Sequence, residues 1–258
     1  MKKVLLAATV LTLGFTACKK DSSNNPGTNP GQPGGKLLSK ITKVENGQTI
    51  VYNASYDGNK RLTSIMSVDG TEYQKFTYDA NGNVKTAEEL NEDFKNIYSY
   101  NYNNGVPATA TFKSWRVENG QVSNTLHEDD ELTYTVTNNL VTKIDVKMKL
   151  ANNLQIPFEV KYKNGNVNII EGGAQGVQFY VQFDFGTKKS PIPTVYKYVM
   201  DQAGFSAQFM GKNEMAAVLY DFGGVIPGFG KQTQYTYDGA GYPLTATDGD
   251  ATYKFDYQ

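Results

Sequence analysis

Cysteine, histidine and tryptophan each occur once in this chain of 258 residues. A single cysteine rules out an internal disulfide, so any folded domain must rest on its own core. A single histidine, His127, leaves a Ser-His or Cys-His catalytic device only one place to be built. No apolar run reaches the ~20 residues that a helix needs to cross a bilayer. Charge is nearly balanced, 25 Lys and Arg against 26 Asp and Glu, and no basic stripe of the kind nucleic acid requires is present. Nucleic-acid partners are therefore not expected.

The longest apolar run is VLLAATVLTLGFTA, Val4 to Ala17, preceded by Lys2 and Lys3. A positive n-region, a short apolar h-region and small residues before a cleavage point make a secretory signal. The residue after Thr16-Ala17 is Cys18, the one cysteine. The stretch resembles a bacterial lipoprotein signal, which implies removal of residues 1–17 and acylation of Cys18 as the new N-terminus. Several acyl chains hold a protein lastingly to a membrane where one does so only marginally. Residues 18–36 follow with KKDSSNNPGTNPGQPGGK after the cysteine, a tract without aromatic or large aliphatic residues. Such a segment cannot offset its ordering entropy and reads as a flexible tether. Lys19, and not an aspartate, follows Cys18, so the expected address is the outer membrane, on its periplasmic face or the cell surface.

From Leu37 to Gln258 the pattern has period two. In KIDVKMKL, Lys143 to Leu150, the residues Ile144, Val146, Met148 and Leu150 alternate with charged ones. Phe179, Val181, Phe183 and Phe185 fall on one face of a second run, and Tyr253, Phe255 and Tyr257 on one face of a third. Alternate side chains of a strand point to opposite faces, so these are half-buried strands. Between the runs stand Asn46-Gly47, Asp69-Gly70, Asn81-Gly82, Asn104-Gly105, Asn119-Gly120, Asn164-Gly165 and Asp248-Gly249, the signature of hairpin turns. The expected fold is all-β: an antiparallel meander of roughly fourteen to seventeen strands rolled into a barrel or open shell, since rolling removes sticky edges.

One phrase recurs. FTYDANGNV, Phe76 to Val84, returns as YTYDGAGYP, Tyr235 to Pro243, and as ASYDGNKRL, Ala54 to Leu62, where Lys60 takes the glycine position. Looser copies begin at Tyr100, Tyr134 and Val160. The interval is the length of one hairpin, so the repeat is read as a unit of fold and not as a repeated binding site. These phrases resemble the YD repeats of Rhs-type proteins. Together with the lipoprotein signal and tether, they are similar to Bacteroidetes lipoproteins of unknown function described as porin-like in fold. The resemblance implies a β-barrel and carries no catalytic residue. The outward charge and the lipid anchor speak against a barrel that itself spans the membrane.

Residues 187–231 break the rhythm. Ile192, Val195, Tyr196, Val199 and Ala203 stand at helical spacing between Pro191 and Gly204, and Lys212 to Gly223 offers a second short helix with Asn213 as N-cap. A helical or looped insertion near 190–230 is expected, acting as a plug or lid on the concave side.

Candidate chemistry is sparse. LHEDDEL, Leu126 to Leu132, could be read as a cation site, yet lacks calcium-loop spacing and reads as a solvated acidic loop. No metal, cofactor or catalytic residue is expected, and the protein is read as non-enzymatic. Trp115 and Phe229 are the candidate ligand contacts, since exposed aromatics stack on sugars and apolar groups. Two functions stay open: a lipid-anchored binding protein holding an apolar or glycan ligand on its concave face, or a structural lipoprotein with no pocket. An aromatic-lined cavity of several hundred Å³ would favour the first.

Overall fold

The computed structural model describes residues 35–174, 176–224 and 227–258. The signal segment 1–17, Cys18 and the tether up to residue 34 lie outside the described residues. Seventeen strands run in chain order: β1 Leu38–Glu45, β2 Gln48–Tyr56, β3 Leu62–Ser67, β4 Tyr73–Tyr78, β5 Val84–Leu90, β6 Phe94–Asn103, β7 Val106–Glu118, β8 Gln121–Thr137 and β9 Leu140–Met148. They continue with β10 Leu154–Lys163, β11 Asn166–Ala174, β12 Val177–Lys189, β13 Asn213–Asp221, β14 Phe229–Gln232, β15 Gln234–Tyr237, β16 Pro243–Thr247 and β17 Ala251–Tyr257.

Consecutive strands pair antiparallel from β1 through to β14 and from β15 to β17, and β17 returns to pair with β1. The result is a nearly closed barrel. The single unsealed seam lies where β14 and β15 follow each other along one bent stretch of chain, hinged at the fully buried Thr233. The first half pairs with β13 and the second with β16. A flat sheet of this many strands would leave two long edges, and rolling consumes both.

The alternation read in the sequence sets inside from outside. Ile144 and Val146 are buried, as are Val181 and Phe183, and Tyr253 and Phe255. The intervening side chains of β9 and β17 pair by charge on the outer surface, Lys143 with Asp145 at 2.7 Å and Lys254 with Asp256 at 2.9 Å. The tight turns are those the sequence marks. Asn46-Gly47, Asn104-Gly105 and Asn164-Gly165 each place two successive residues at positive φ, the geometry that matches the twist of paired strands.

The repeated phrase has one geometry in three copies. The Oδ1 of Asp57, Asp79 and Asp238 accepts from the backbone N–H two and four residues on: Asn59 and Arg61, Asn81 and Asn83, Ala240 and Tyr242. The fourth residue after each tyrosine holds positive φ, at 60° for Lys60, 81° for Gly82 and 79° for Gly241. Lysine can adopt that conformation at a cost, which explains how the variant copy keeps the turn.

The tyrosines have a second task. Five strand-end tyrosines donate their hydroxyls to the carbonyl at or beside the start of the neighbouring strand, whereas Tyr237 of the third copy donates to Glu214 Oε1 at 2.9 Å. Tyr56 reaches Leu38 at 2.7 Å, Tyr78 reaches Leu62 at 2.6 Å and Tyr102 reaches Val84 at 2.9 Å. Tyr162 reaches Val141 at 2.9 Å, and Tyr257 reaches Pro243 at 2.8 Å. These bonds tie each strand end to the start of its neighbour at one rim of the barrel, and a tyrosine is long enough to reach across.

Residues 190–212 fold into the barrel interior. Val195, Tyr196, Tyr198, Val199, Met200, Ala207 and Phe209 are buried. The helices expected at 191–204 and 212–223 do not form. Most of the first stretch is buried, with only Thr194 and Lys197 exposed, so packing against the wall and not one amphipathic face sets its backbone. Its backbone bonds instead to wall side chains: Tyr134 donates to Met200 O at 2.7 Å and Tyr220 to Ala203 O at 3.1 Å. The carboxylate of Asp201 accepts from Phe205 N and Ser206 N at 2.8 and 2.7 Å, which ties off the turn before a short 3-10 helix, Ser206–Phe209. Residues 213–221 are strand β13, because β12 needs a partner and ladder pairing outweighs helix propensity there.

Candidate ligand cavity

Between the plug and one side of the wall lies a cavity of about 470 Å³. Its wall follows the registers of six neighbouring strands. Tyr253 on β17 faces Lys43 on β1, which faces Ile50 on β2. Ile65 on β3 faces Gln74 on β4, which faces Glu89 on β5. Tyr52, Phe185, Met215 and Tyr235 complete the apolar part, and Ile192, Gln208 and Phe209 of the plug close it from within. Turn residues Asn46, Asn91 and Glu92 line it at one rim. Turns of an antiparallel barrel alternate between its ends, so this rim is opposite the one carrying Asp57, Asp79 and Asp238.

The electrostatics are lopsided. Both lysines of the lining are already paired, Lys43 with Glu45 at 2.6 Å and Lys231 with Asp248 and Asp250 at 3.4 and 3.1 Å. Glu72 accepts from the Tyr52 hydroxyl. Glu89 accepts from Asn96 Nδ2 at 3.1 Å and has no ion-pair partner among the described residues. By accessible surface Glu89 is only half-buried, yet protein surrounds it except on the cavity side. That surrounding pushes its carboxyl up to about 7, with the Asn96 amide opposing and the charge of Asp201 adding.

The polar row continues away from the cavity. Asn96 faces Ser114 on β7, and Ser114 faces Glu128 on β8. Burial with the neighbouring Asp130 charge raises Glu128 to about 7, and Asp130 itself is raised to about 6 by burial and by Asp129. LHEDDEL is thus not a solvated loop. It lies within β8, with Asp130 and Leu132 buried and Asp129 and Glu131 outward. The alternation was present in the sequence, hidden because acidic residues occupied the inward positions. Among the described residues no group of three or more His, Cys, Asp or Glu is placed to hold a metal ion. His127 packs against the Phe94 ring at 5.3 Å and does not line the cavity.

The two aromatic candidates stand elsewhere. Trp115 sits on β7 at an irregularity in the β7–β8 ladder, opposite Leu126. Phe229 begins β14, is 42% exposed, and stacks on Tyr220 at 4.9 Å. Neither lines the cavity. The residues that do, Ile65, Gln74 and Glu89 among them, are ordinary alternating strand residues; no local signal distinguishes them, since strand register and the plug alone bring them together.

The RHS Repeat family model matches residues 56–89, the span holding the Asp57 and Asp79 turns. No curated protein sequence matches the chain. Among solved structures, it is similar to a porin-like protein from Bacteroides vulgatus ATCC 8482, with a TM-score of 0.52 at 9% identity over 87% of this chain and 99% of that one. At that identity the likeness is one of fold. The class defined by architecture and repeat is a porin-like β-barrel assembled from YD-type hairpins. Within it, this chain has a largely apolar interior interrupted by acidic side chains such as Asp130, Asp201 and Glu214, and a charged exterior. Outward charge pairs include Lys147–Glu131 and Lys95–Glu88, at 3.2 and 3.1 Å. The fold is compatible with an envelope location.

Proposed function

We propose that this is a lipid-anchored, non-catalytic protein of the outer membrane that holds a small ligand in the cavity between plug and wall. The observation that carries the reading is the cavity itself. Its volume falls in the range of small-molecule sites, and its walls combine aromatic and aliphatic surface with a few convergent polar groups. A closed structural barrel would gain from filling that space, since each void forfeits contacts.

The anchor fits the same picture. Leu37 pairs with Gln258 through two backbone hydrogen bonds, and Lys36 meets Asp238 at 2.6 Å, so the tether joins the barrel at the Asp-turn rim. The cavity rim with Asn46 and Glu92 lies at the other end, away from the point where Lys36 and Leu37 join the barrel. An apolar ligand or a glycan suits the lining: rings of Tyr52, Tyr235 and Tyr253 for stacking, and Gln48, Gln74 and Asn91 for hydroxyls.

Two measurements test this. Metabolic labelling with radioactive palmitate should mark the wild-type chain and leave Cys18→Ala unlabelled; label on the variant refutes the anchor. Gentle native mass spectrometry of protein purified from its cells should show a bound small molecule that Ile65→Trp, which fills the cavity, no longer carries. Equal retention by the variant would place the ligand elsewhere and sink the cavity reading.

A further inference from the structure

The geometry points to an amphipathic amine as the class of ligand, its cationic nitrogen paired with Glu89 and its apolar body lying among Ile65, Met215, Phe209 and Tyr253. This rests on the cavity being a ligand site and adds the charge and polarity of what fills it.

Three features converge. Four carboxylates, Glu45, Glu72, Glu89 and Glu92, line the cavity against two lysines. Lys43 is committed to Glu45 itself and Lys231 to Asp248 and Asp250, so neither lysine is available to an anion, and Glu72, Glu89 and Glu92 stay without a lysine partner among the described residues. Glu89 is the deep carboxylate, flanked on its two neighbouring strands by Gln74 and Asn96. One of its oxygens takes an amide proton from Asn96, and amides can share a carboxylate without neutralising it. A negative charge in a site walled by protein is costly unless a cation meets it. Burial already holds its proton near neutrality, and an ammonium in the cavity would relieve that cost and draw the group back to its charged form.

The apolar requirement comes from the rest of the lining. Ile41, Ile50, Ile65, Ile192 and Met215 present no hydrogen-bonding groups, so a fully hydrophilic cation such as ammonium or a small diamine would leave that surface uncovered. Phe185, Phe209, Tyr235 and Tyr253 add ring faces, to which a cation is attracted and on which an aryl group stacks. Neutral sugars would use the amides and rings and could donate hydroxyls to Glu89, but would leave its charge without a counter-ion. Carboxylates and phosphates would meet net repulsion.

Three probes of one shape separate the possibilities: 4-phenylbutylamine, 4-phenylbutanol and 4-phenylbutyrate. Each is titrated calorimetrically into the purified chain in zwitterionic nanodiscs at pH 8, with empty nanodiscs as the blank. The amine is expected to bind about tenfold more tightly than the alcohol, the factor of one charge-assisted hydrogen bond, and the acid weaker still. Glu89→Gln should bring amine and alcohol level while alcohol binding persists. Glu171→Gln, which removes one charge from the outer face, should leave the preference intact. If the alcohol or the acid binds as tightly as the amine to the wild type, the amine inference is overturned and the cavity reading survives. If none of the three binds, the cavity reading falls and the inference with it. If Glu89→Gln keeps the preference, the nitrogen is not on Glu89 and the inference is again refuted. Should that variant not fold, the wild-type ranking of the three probes decides by itself.

Discussion

Removing hydroxyls from the rim tyrosines tests whether the repeat is scaffolding. Tyr56, Tyr102 and Tyr162 each donate one hydrogen bond, at 2.7, 2.9 and 2.9 Å, to a backbone carbonyl near a strand start. Phenylalanine keeps the ring and its burial, so Tyr→Phe deletes the bond alone. A net intramolecular hydrogen bond contributes about 1 kcal/mol. The three acceptors, Leu38, Val84 and Val141, belong to different hairpins, so the effects should add. The triple variant is expected to lose about 3 kcal/mol, a large share of the stability of a typical domain. Urea unfolding followed by far-ultraviolet circular dichroism gives the number, with an unchanged slope showing that the unfolded state is unaltered. Tyr180→Phe, whose hydroxyl meets Gln182 on the outer face, is the control and should cost little. A triple variant within about 0.5 kcal/mol of the parent would mean that the rim carbonyls are satisfied by water, and the structural reading of the tyrosine would be wrong.

Stability should fall as pH rises from about 4.5 to 7. Glu128 and Glu89 hold protons in the folded state up to about 7, and Asp130 up to about 6, while the unfolded chain releases them at the ordinary 4.5 and 3.8. The folded state binds more protons in that window, so the linkage favours it at low pH; Glu128 alone sets an upper bound of about 3 kcal/mol. Glu128→Gln should flatten the urea midpoint between pH 5 and pH 8, and a midpoint that rises with pH would contradict the burial argument. Below that window the sign reverses. The turn aspartates Asp57, Asp79 and Asp238 have lowered pKa values, about 2 for Asp238, so their turns weaken only as pH falls through their folded values. Gly204→Ala should cost about 2–3 kcal/mol from overpacking and left-handed strain together, because a Cβ there would stand 2.2 Å from Phe183 Cζ at φ 82°. Gly47→Ala, at φ 76° with nothing within 4 Å, should cost only about 1 kcal/mol; equal losses in thermal melts would show that the plug does not press on Phe183.

Much of the wall was legible from residues alone. Strict alternation in 143–148, 179–185 and 253–257 assigns strands and their inner faces because successive strand side chains diverge. Asn-Gly at 46–47, 104–105 and 164–165 fixes tight hairpins because those residues reach positive φ cheaply. A meander of that many strands then has little choice but to roll. The sequence could not reveal the fate of residues 190–221. Their apolar spacing suits a helix in isolation, and only the surrounding wall turns one half into a buried plug and the other into strand β13. Nor could it reveal the acidic inner face of β8, where Glu128 and Asp130 occupy positions that alternation assigns to apolar residues.

The chain's local chemistry therefore determined its strands, its turns and the meaning of its repeated phrase, since each depends on residues within reach of one hairpin. Tertiary structure alone decided the cavity. Tyr253, Ile50, Glu89, Met215 and Phe209 lie far apart in sequence and meet only because closure brings β17 beside β1 and the plug stops short of the wall they share.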